Sequence, residues 1–317
     1  MNVEELLEGI RKRDLRSISR SISLFEDELQ SQKADELMKK IYSLTGHAQI
    51  VGITGPPGVG KSTLIGKLSR RMKELGRDPA LIAIDASSPF SRGSFLGNRI
   101  RMQDSLRDHG IFMRSLSNRG FKGGLSLSAL GAVKVLDASG FDPIIIETVG
   151  SGQSDLDIIS IADTITVILA PGLGDEIQAI KAGIMEIGNI FVVNKIDRDD
   201  AFLAMKDIQD MLSLGNADGW IKPVIGTNSL TGEGFDDLIK EIDLHRKFLE
   251  NSTGRSSKPA SELYLLLENR IRKLVDRLVS GDEGTSDIIT LVQSRKMDPY
   301  EASESIIRRS LTHDGRD

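Results

Sequence analysis

The chain has 317 residues, a formal net charge of −5 at pH 7 and no cysteine. Apolar content of 39% beside 27% charged residues reads as an ordinary globular protein with a sizeable core, in one large domain or two smaller ones. The acidic balance offers no footprint for nucleic acid, the missing cysteines exclude disulfides and thiolate chemistry, and no apolar run nears the ~18 residues of a membrane helix.

Taken in order, the start from Met1 to Glu5 is acidic and unlike a secretory signal, so a cytoplasmic protein is expected. Residues 1–46 read as a helical segment: Leu6, Leu7 and Ile10, then Leu15, Ile18 and Ile22, then Leu37, Met38, Ile41 and Leu44 recur at helical spacing, and Gly46 is placed to end the last helix. Residues 47–249 alternate short apolar runs with amphipathic stretches. The predicted strands are Gln49–Ile53, Ala80–Ile84, Ile111–Arg114, Pro143–Glu147, Thr164–Leu169, Asn189–Val193 and Pro223–Gly226. Helical lengths such as Ser62–Leu75, Leu125–Ala138, Ile177–Gly188 and Ala201–Leu214 lie between them. This is the pattern of an α/β fold, a mostly parallel central sheet with helices on both faces. Residues 250–317 read as a C-terminal helical segment. A polar linker from Glu250 to a proline stop at Pro259 opens it, followed by a nearly heptad seam of Leu263, Leu267, Ile271, Leu274 and Leu278. That seam packs either on its own domain or on a second copy of the chain. Asp298-Pro299 reads as an N-cap with proline at the first helical position of a last helix.

The most specific local signal is Gly55-Pro56-Pro57-Gly58-Val59-Gly60-Lys61-Ser62, followed by Thr63, which fits G-x-x-x-x-G-K-S/T between a strand and a helix. Glycines let backbone N–H groups curl around a phosphate, and the following helix aims its free N–H groups and positive end at the same point. Lys61 is placed to reach the β- and γ-phosphates, and the Ser62 hydroxyl to bind Mg²⁺. A bound nucleoside triphosphate follows.

Three further stretches narrow the ligand. Asn194-Lys195-Ile196-Asp197 directly follows a strand. A carboxylate at Asp197 can accept from guanine N1–H and the exocyclic amine, while the Lys195 stem lies along the ring. Adenine presents an acceptor at N1, so losing charged hydrogen bonds of about 1.5–3 kcal/mol each selects GTP by roughly two to four decades. The polar loop Gly226–Gly234, with Asn228, Ser229 and Leu230 at its centre, suits backbone donation to guanine O6. Glu147 ends an apolar strand and Gly150 follows three residues later, the pattern of a γ-phosphate sensor with glutamate in place of the more usual aspartate. Asp85 ends another strand at the same sheet edge, and two acidic strand ends beside one phosphate site call for a cation. The expected Mg²⁺ ligands are therefore Ser62, Asp85 and Glu147, and the expected catalytic residues Lys61, Asp85 and Glu147.

Together, Glu147-Thr148-Val149-Gly150-x-Gly152-Gln153-Ser154, Asp85-x-Ser87-Ser88 and Gly172-x-Gly174-Asp175-Glu176-x-Gln178-x-Ile180-Lys181 resemble the methylmalonyl-CoA mutase-associated GTPases. That family is also described as lysine/arginine/ornithine transport ATPases or kinases, and it belongs to the signal-recognition and metallochaperone class of P-loop GTPases. The resemblance spans nearly the whole chain. It implies GTP and GDP as ligands, a homodimer whose dimerisation arm is the segment 250–317, and a cobalamin-dependent acyl-CoA mutase as partner. It also implies that GTP hydrolysis times adenosylcobalamin loading and mutase protection, with Gln153, Asp175, Glu176, Gln178 and Lys181 as switch residues. Asn98 stands where the family usually carries an acid, and an amide supplies no negative charge there. The residues offer no general base, so slow turnover without the partner is expected. Two other readings fit the residues, a small-molecule or protein kinase and a non-hydrolysing nucleotide-regulated binding module.

Overall fold

The computed structural model describes residues 1–27, 31–85, 102–117, 124–148, 161–172, 184–213, 219–252, 254–281 and 283–313. Seven strands form one sheet: β1 (Ile50–Thr54), β2 (Ala80–Asp85), β3 (Phe112–Ser117), β4 (Ile144–Glu147), β5 (Thr164–Leu169), β6 (Ile190–Asn194) and β7 (Val224–Thr227). Their order is β3-β2-β4-β1-β5-β6-β7, and every pairing is parallel. Each predicted strand is present, shifted by no more than a few residues at its ends. The β-branched runs explain this: β1, β4 and β6 are buried along their whole length, as a sheet covered on both faces demands.

The chain leaves β1 toward β2 on one side, and β5 lies on the other side of β1, so the strand order reverses at the centre. A crevice therefore opens at the carboxyl end of β1, where open α/β sheets bind ligands. Helices α4 (Lys61–Glu74), α5 (Gly124–Ala138), α6 (Ile184–Ile187), α7 (Ala201–Leu212) and α8 (Phe235–Asn251) accompany the sheet. One core joins Leu64, Leu68 and Met72 of α4 with Leu238 and Ile242 of α8 over β1, β2 and β6. A second, on the opposite face, joins Val167, Phe191 and Val193 with Ile208 of α7.

Three helices precede the sheet: α1 (Val3–Arg11), α2 (Leu15–Glu26) and α3 (Ser31–Ile41). Asn2 and Glu5 form a reciprocal capping box on α1, and Asp14 caps α2 through the Ser17 N–H. Leu6, Ile10, Ile18, Ile22, Leu37 and Ile41 are buried at the predicted spacing, whereas Leu15, the first residue of α2, is exposed. The layer sits on α5: a Cβ at Gly131 would come within 2.3 Å of the Phe25 ring, and the Ser128 hydroxyl donates to the Phe25 carbonyl at 3.0 Å. The buried Asp137 carboxylate of α5 accepts from the N–H groups of Gly46 (2.6 Å), His47 (3.2 Å) and Ala48 (3.0 Å), which locks the entry to β1.

Residues divide into two compact units, Met1–Lys258 and Pro259–Asp317. The expected linker with a proline stop is instead helical: α9 (Gly254–Gly281) carries Pro259 inside it. Near the start of a 28-residue helix one missing N–H is offset by the turns that follow. The second unit continues with α10 (Glu283–Gln293) and α11 (Pro299–His313), where Asp298 Oδ1 accepts from the Tyr300 and Glu301 N–H groups, the cap expected before Pro299. Leu263, Leu267, Ile271 and Leu274 of the α9 seam are exposed. No helix among the described residues is long and apolar enough to cross a membrane.

Candidate functional site

The loop from Gly55 to Gly60 leaves β1 and enters α4, and three of its glycines have positive φ: Gly55 at 145°, Gly58 at 79° and Gly60 at 97°. At two of them space is also decisive. A Cβ on Gly55 would lie 2.1 Å from the Ile168 carbonyl of β5, and one on Gly60 would lie 2.6 Å from Asn194 Nδ2. Side chains are thereby shut out of the inner wall of the loop. Pro57, Gly58, Ser62 and Thr63 are exposed around it, while Pro56 and Val59 are buried beneath. The first N–H groups of α4 face this loop with no helical partner upstream, so the turn is built to accept an anion.

Lys61 is 8% exposed, and its ammonium folds back onto the loop, donating to the carbonyls of Gly55 (2.7 Å) and Pro56 (2.8 Å). These are exchangeable bonds that a phosphate oxygen can replace, since both keep the charge at the loop mouth. Beside it, the Ser62 hydroxyl donates to Glu147 Oε1 at 2.5 Å. Glu147 pairs with Ile53 of β1 and Ala83 of β2, so the sheet register brings it to the loop. Its Oε2 is buried without a hydrogen-bond partner among the described residues. A hydroxyl next to a buried carboxylate oxygen is a hard oxygen donor set, and it fits Mg²⁺. Asp85 ends β2 two residues past Ala83, on the same sheet edge; its side chain lies outside the described residues.

The Asn194-x-x-Asp197 stretch begins on the last residue of β6 and meets the loop directly. Asn194 is fully buried; Nδ2 donates to the Val59 carbonyl (2.8 Å) and the Ser229 hydroxyl (3.1 Å), and Oδ1 accepts from Ser229 N–H (2.9 Å) and the Thr227 hydroxyl (3.3 Å). Asn194, expected among the GTP-binding residues, joins two loops of the protein to each other through its side chain. Lys195 takes a left-handed φ of 65° and donates from Nζ to the Gly58 carbonyl at 2.9 Å, so its stem lies across the gap between the loops. Asp197 is exposed, and one carboxylate oxygen accepts from Asn228 Nδ2 at 3.0 Å. Leu230, exposed at the tip of the last loop, has its carbonyl held by Lys67 of α4.

Lys61, Ser62, Glu147, Asn194, Lys195, Asp197, Asn228, Ser229 and Leu230 thus converge on one edge of the sheet. Gly150, Gln153, Asp175, Glu176, Gln178 and Lys181, with Asn98, lie outside the described residues. Lys67 was missed, because a lysine nearly two turns into an amphipathic helix carries no signal of its distant partner. No cluster of three metal-ligating side chains occurs among the described residues.

Comparison with known proteins gives this geometry a family. A model described as methylmalonyl-CoA mutase-associated GTPase MeaB matches residues 18–282. A Pyrococcus horikoshii relative, which carries a provisional GTPase name, is 42% identical over 315 residues, covering 97% of this chain and 98% of that one. The Escherichia coli GTPase ArgK is 31% identical over 245 residues, covering 75% of this chain and 74% of that one. A mouse protein named methylmalonic aciduria type A homolog, mitochondrial, is 33% identical over 233 residues, covering 72% of this chain and 54% of that one. The fold is similar to that of a LAO/AO transport system kinase, with a TM-score of 0.73 at 21% identity over 98% of this chain and 97% of that one. A phosphate-accepting loop tied to a guanine-type motif, matched by this family across most of its length, leads to one conclusion: the chain belongs to the methylmalonyl-CoA mutase-associated GTPase (MeaB) family.

Proposed function

We propose that this chain binds and hydrolyses GTP as a chaperone of a cobalamin-dependent acyl-CoA mutase of the methylmalonyl-CoA type, gating adenosylcobalamin loading and protecting the mutase. The observation that carries the nucleotide part is the Asn194 amide, which bonds the Val59 carbonyl of the glycine loop and Ser229 of the last loop at once. Through that tie, phosphate contacts at one end and base contacts at the other belong to one rigid frame. The mutase part is supported by the family to which the chain belongs.

In this reading Gly55, Pro56, Pro57, Gly58, Val59, Gly60, Lys61, Ser62 and Thr63 wrap the phosphates, with Gly150 at the γ-phosphate. Lys195 and Asp197 hold the base beside Asn228, Ser229 and Leu230. Lys61 releases its loop carbonyls and neutralises the β,γ-bridge and γ-oxygens. Ser62 and Glu147, with Asp85, would hold Mg²⁺, which would supply charge neutralisation on the phosphates. Catalysis is then positioning and electrostatics around an attacking water, slow until the partner orders the switch residues Gln153, Asp175, Glu176, Gln178 and Lys181. The exposed α9 seam supports a homodimer built on a second copy of that helix.

GTP hydrolysis is measured on the purified protein with and without a cobalamin-dependent mutase, with Lys61→Ala as control. Slow hydrolysis that accelerates with the mutase is expected. Unaided turnover on the order of tens per second, or no response to any such mutase, sinks the chaperone reading.

A further inference from the structure

Asn228 is 7% exposed and engaged through every polar group it has. Its N–H donates to the Glu233 carbonyl at 3.1 Å, and its own carbonyl accepts from Gly232 N–H at 2.8 Å. Its side-chain Oδ1 accepts from the N–H groups of Leu230 (2.9 Å) and Thr231 (3.3 Å). Two backbone donors at one end of the amide require the oxygen there, so the amide cannot turn over. Nδ2 therefore points the other way, and it donates to Asp197 Oδ1 at 3.0 Å. Asp197 is exposed, and this bond sets the rotation of its carboxylate.

Resting on the reading of Asp197 as the base-reading carboxylate, we propose that Asn228 is a positioning residue that decides which atom of side chain 197 faces the base, and thereby sets base selectivity. Nδ2 is a donor with fixed direction, so the atom it holds must be an acceptor. With a carboxylate at position 197, the second oxygen is also an acceptor and suits the N1–H and 2-amino groups of guanine. With an amide at position 197, Asn228 captures the amide oxygen and turns the NH₂ toward the base. That donor suits the extra carbonyl of xanthine and opposes the 2-amino group of guanine.

Changing Asn228 to aspartate inverts the polarity. One carboxylate oxygen keeps the Leu230 and Thr231 N–H groups, and the other presents an acceptor to position 197. Alone, this sets two carboxylates against each other at hydrogen-bond distance. Combined with an amide at position 197, it restores the hydrogen bond the other way round: the NH₂ turns to position 228 and the carbonyl faces the base. Guanine recognition then returns without the carboxylate at position 197.

The experiment measures binding of GTP, inosine triphosphate and xanthosine triphosphate to the full chain, wild type and the variants Asp197→Asn, Asn228→Asp and the two combined. Thermal unfolding is followed for each. Asp197→Asn is expected to prefer the xanthosine nucleotide, Asn228→Asp to lose at least about tenfold in GTP affinity, and the combined variant to regain a guanosine-over-xanthosine preference of at least about tenfold. The combined variant has the wild-type net charge, so it gives a reading even where Asn228→Asp alone is unstable. A combined variant that stays xanthosine-selective, or a folded Asn228→Asp that binds GTP like wild type, overturns the role of Asn228 and leaves Asp197 standing. An Asp197→Asn variant that keeps its guanosine preference overturns the base-reading role of Asp197 and this proposal with it. A merely structural Asn228 would change affinity for all three nucleotides together and leave the preference unmoved.

Discussion

Replacing Asn194 by alanine tests the frame on which the site depends. Asn194 is fully buried, and its amide makes four hydrogen bonds, to Val59, Thr227 and twice to Ser229. Two of these groups are hydroxyls that can rotate to other partners. The Val59 carbonyl and the Ser229 N–H are backbone and cannot, and a buried backbone group left without its partner costs about 1–3 kcal/mol. Taking the pair in the middle of that range gives a loss of about 4 kcal/mol. For a unit of this size about 2–4 °C accompanies each kcal/mol, so the melting temperature should fall by roughly 8–16 °C. Because the same bonds join the phosphate loop to the Ser229 loop, affinity for GTP should fall along with stability, read by calorimetry and a fluorescent nucleotide. Asn194→Asp sharpens the test, since it keeps the acceptor for Ser229 N–H and sets an oxygen against the Val59 carbonyl. A melting temperature within about 2 °C of wild type for both variants would refute the reasoning.

Gly55→Ala places a Cβ 2.1 Å from the Ile168 carbonyl at a φ of 145°, and neither backbone segment can yield cheaply. A loss of at least about 3 kcal/mol in thermal stability and of measurable GTP binding is expected. Glu147→Gln keeps an acceptor for Ser62 and removes the negative charge of a carboxylate whose second oxygen is buried without a hydrogen-bond partner among the described residues. The protein should remain folded while the Mg²⁺ concentration for half-maximal GTP hydrolysis rises at least about tenfold; an unchanged Mg²⁺ titration would remove Glu147 from the cation site. His245 is buried beside Thr164 and Trp220, and burial pushes its imidazole down from 6.5 to about 4, against the opposing pull of the Asp163 charge. The folded state favours the neutral ring, so its contribution is fully present above pH 6.5 and is lost as pH falls toward 4, up to about 3 kcal/mol. Melting curves followed by Trp220 fluorescence should show that slope, and His245→Phe should flatten it.

Much of the fold was legible because it is local. The β-branched runs at 50–54, 144–147 and 190–194 are buried on both faces, so they read as apolar without alternation. The N-terminal helices were readable from Leu6, Ile10, Ile18 and Ile22, whose helical spacing survives in the buried set. The polar run before Pro259 misled, because proline and serine signal a break but cannot outweigh a long helix that continues beyond them.

The sequence by itself determined the candidate phosphate and guanine contacts, since Gly55–Ser62 and Asn194–Asp197 are contiguous stretches whose chemistry is written in neighbouring residues. Only the tertiary structure decided how those stretches depend on one another. Val59 and Asn194 are 135 residues apart, Ser62 and Glu147 are 85 apart, and Asp197 and Asn228 are 31 apart. Their hydrogen bonds follow from strand order and register, which hydrophobic periodicity does not encode. For that reason the chain shows Asn194 and Asn228 only as candidate nucleotide contacts, and the fold adds that their side chains hold other residues in place.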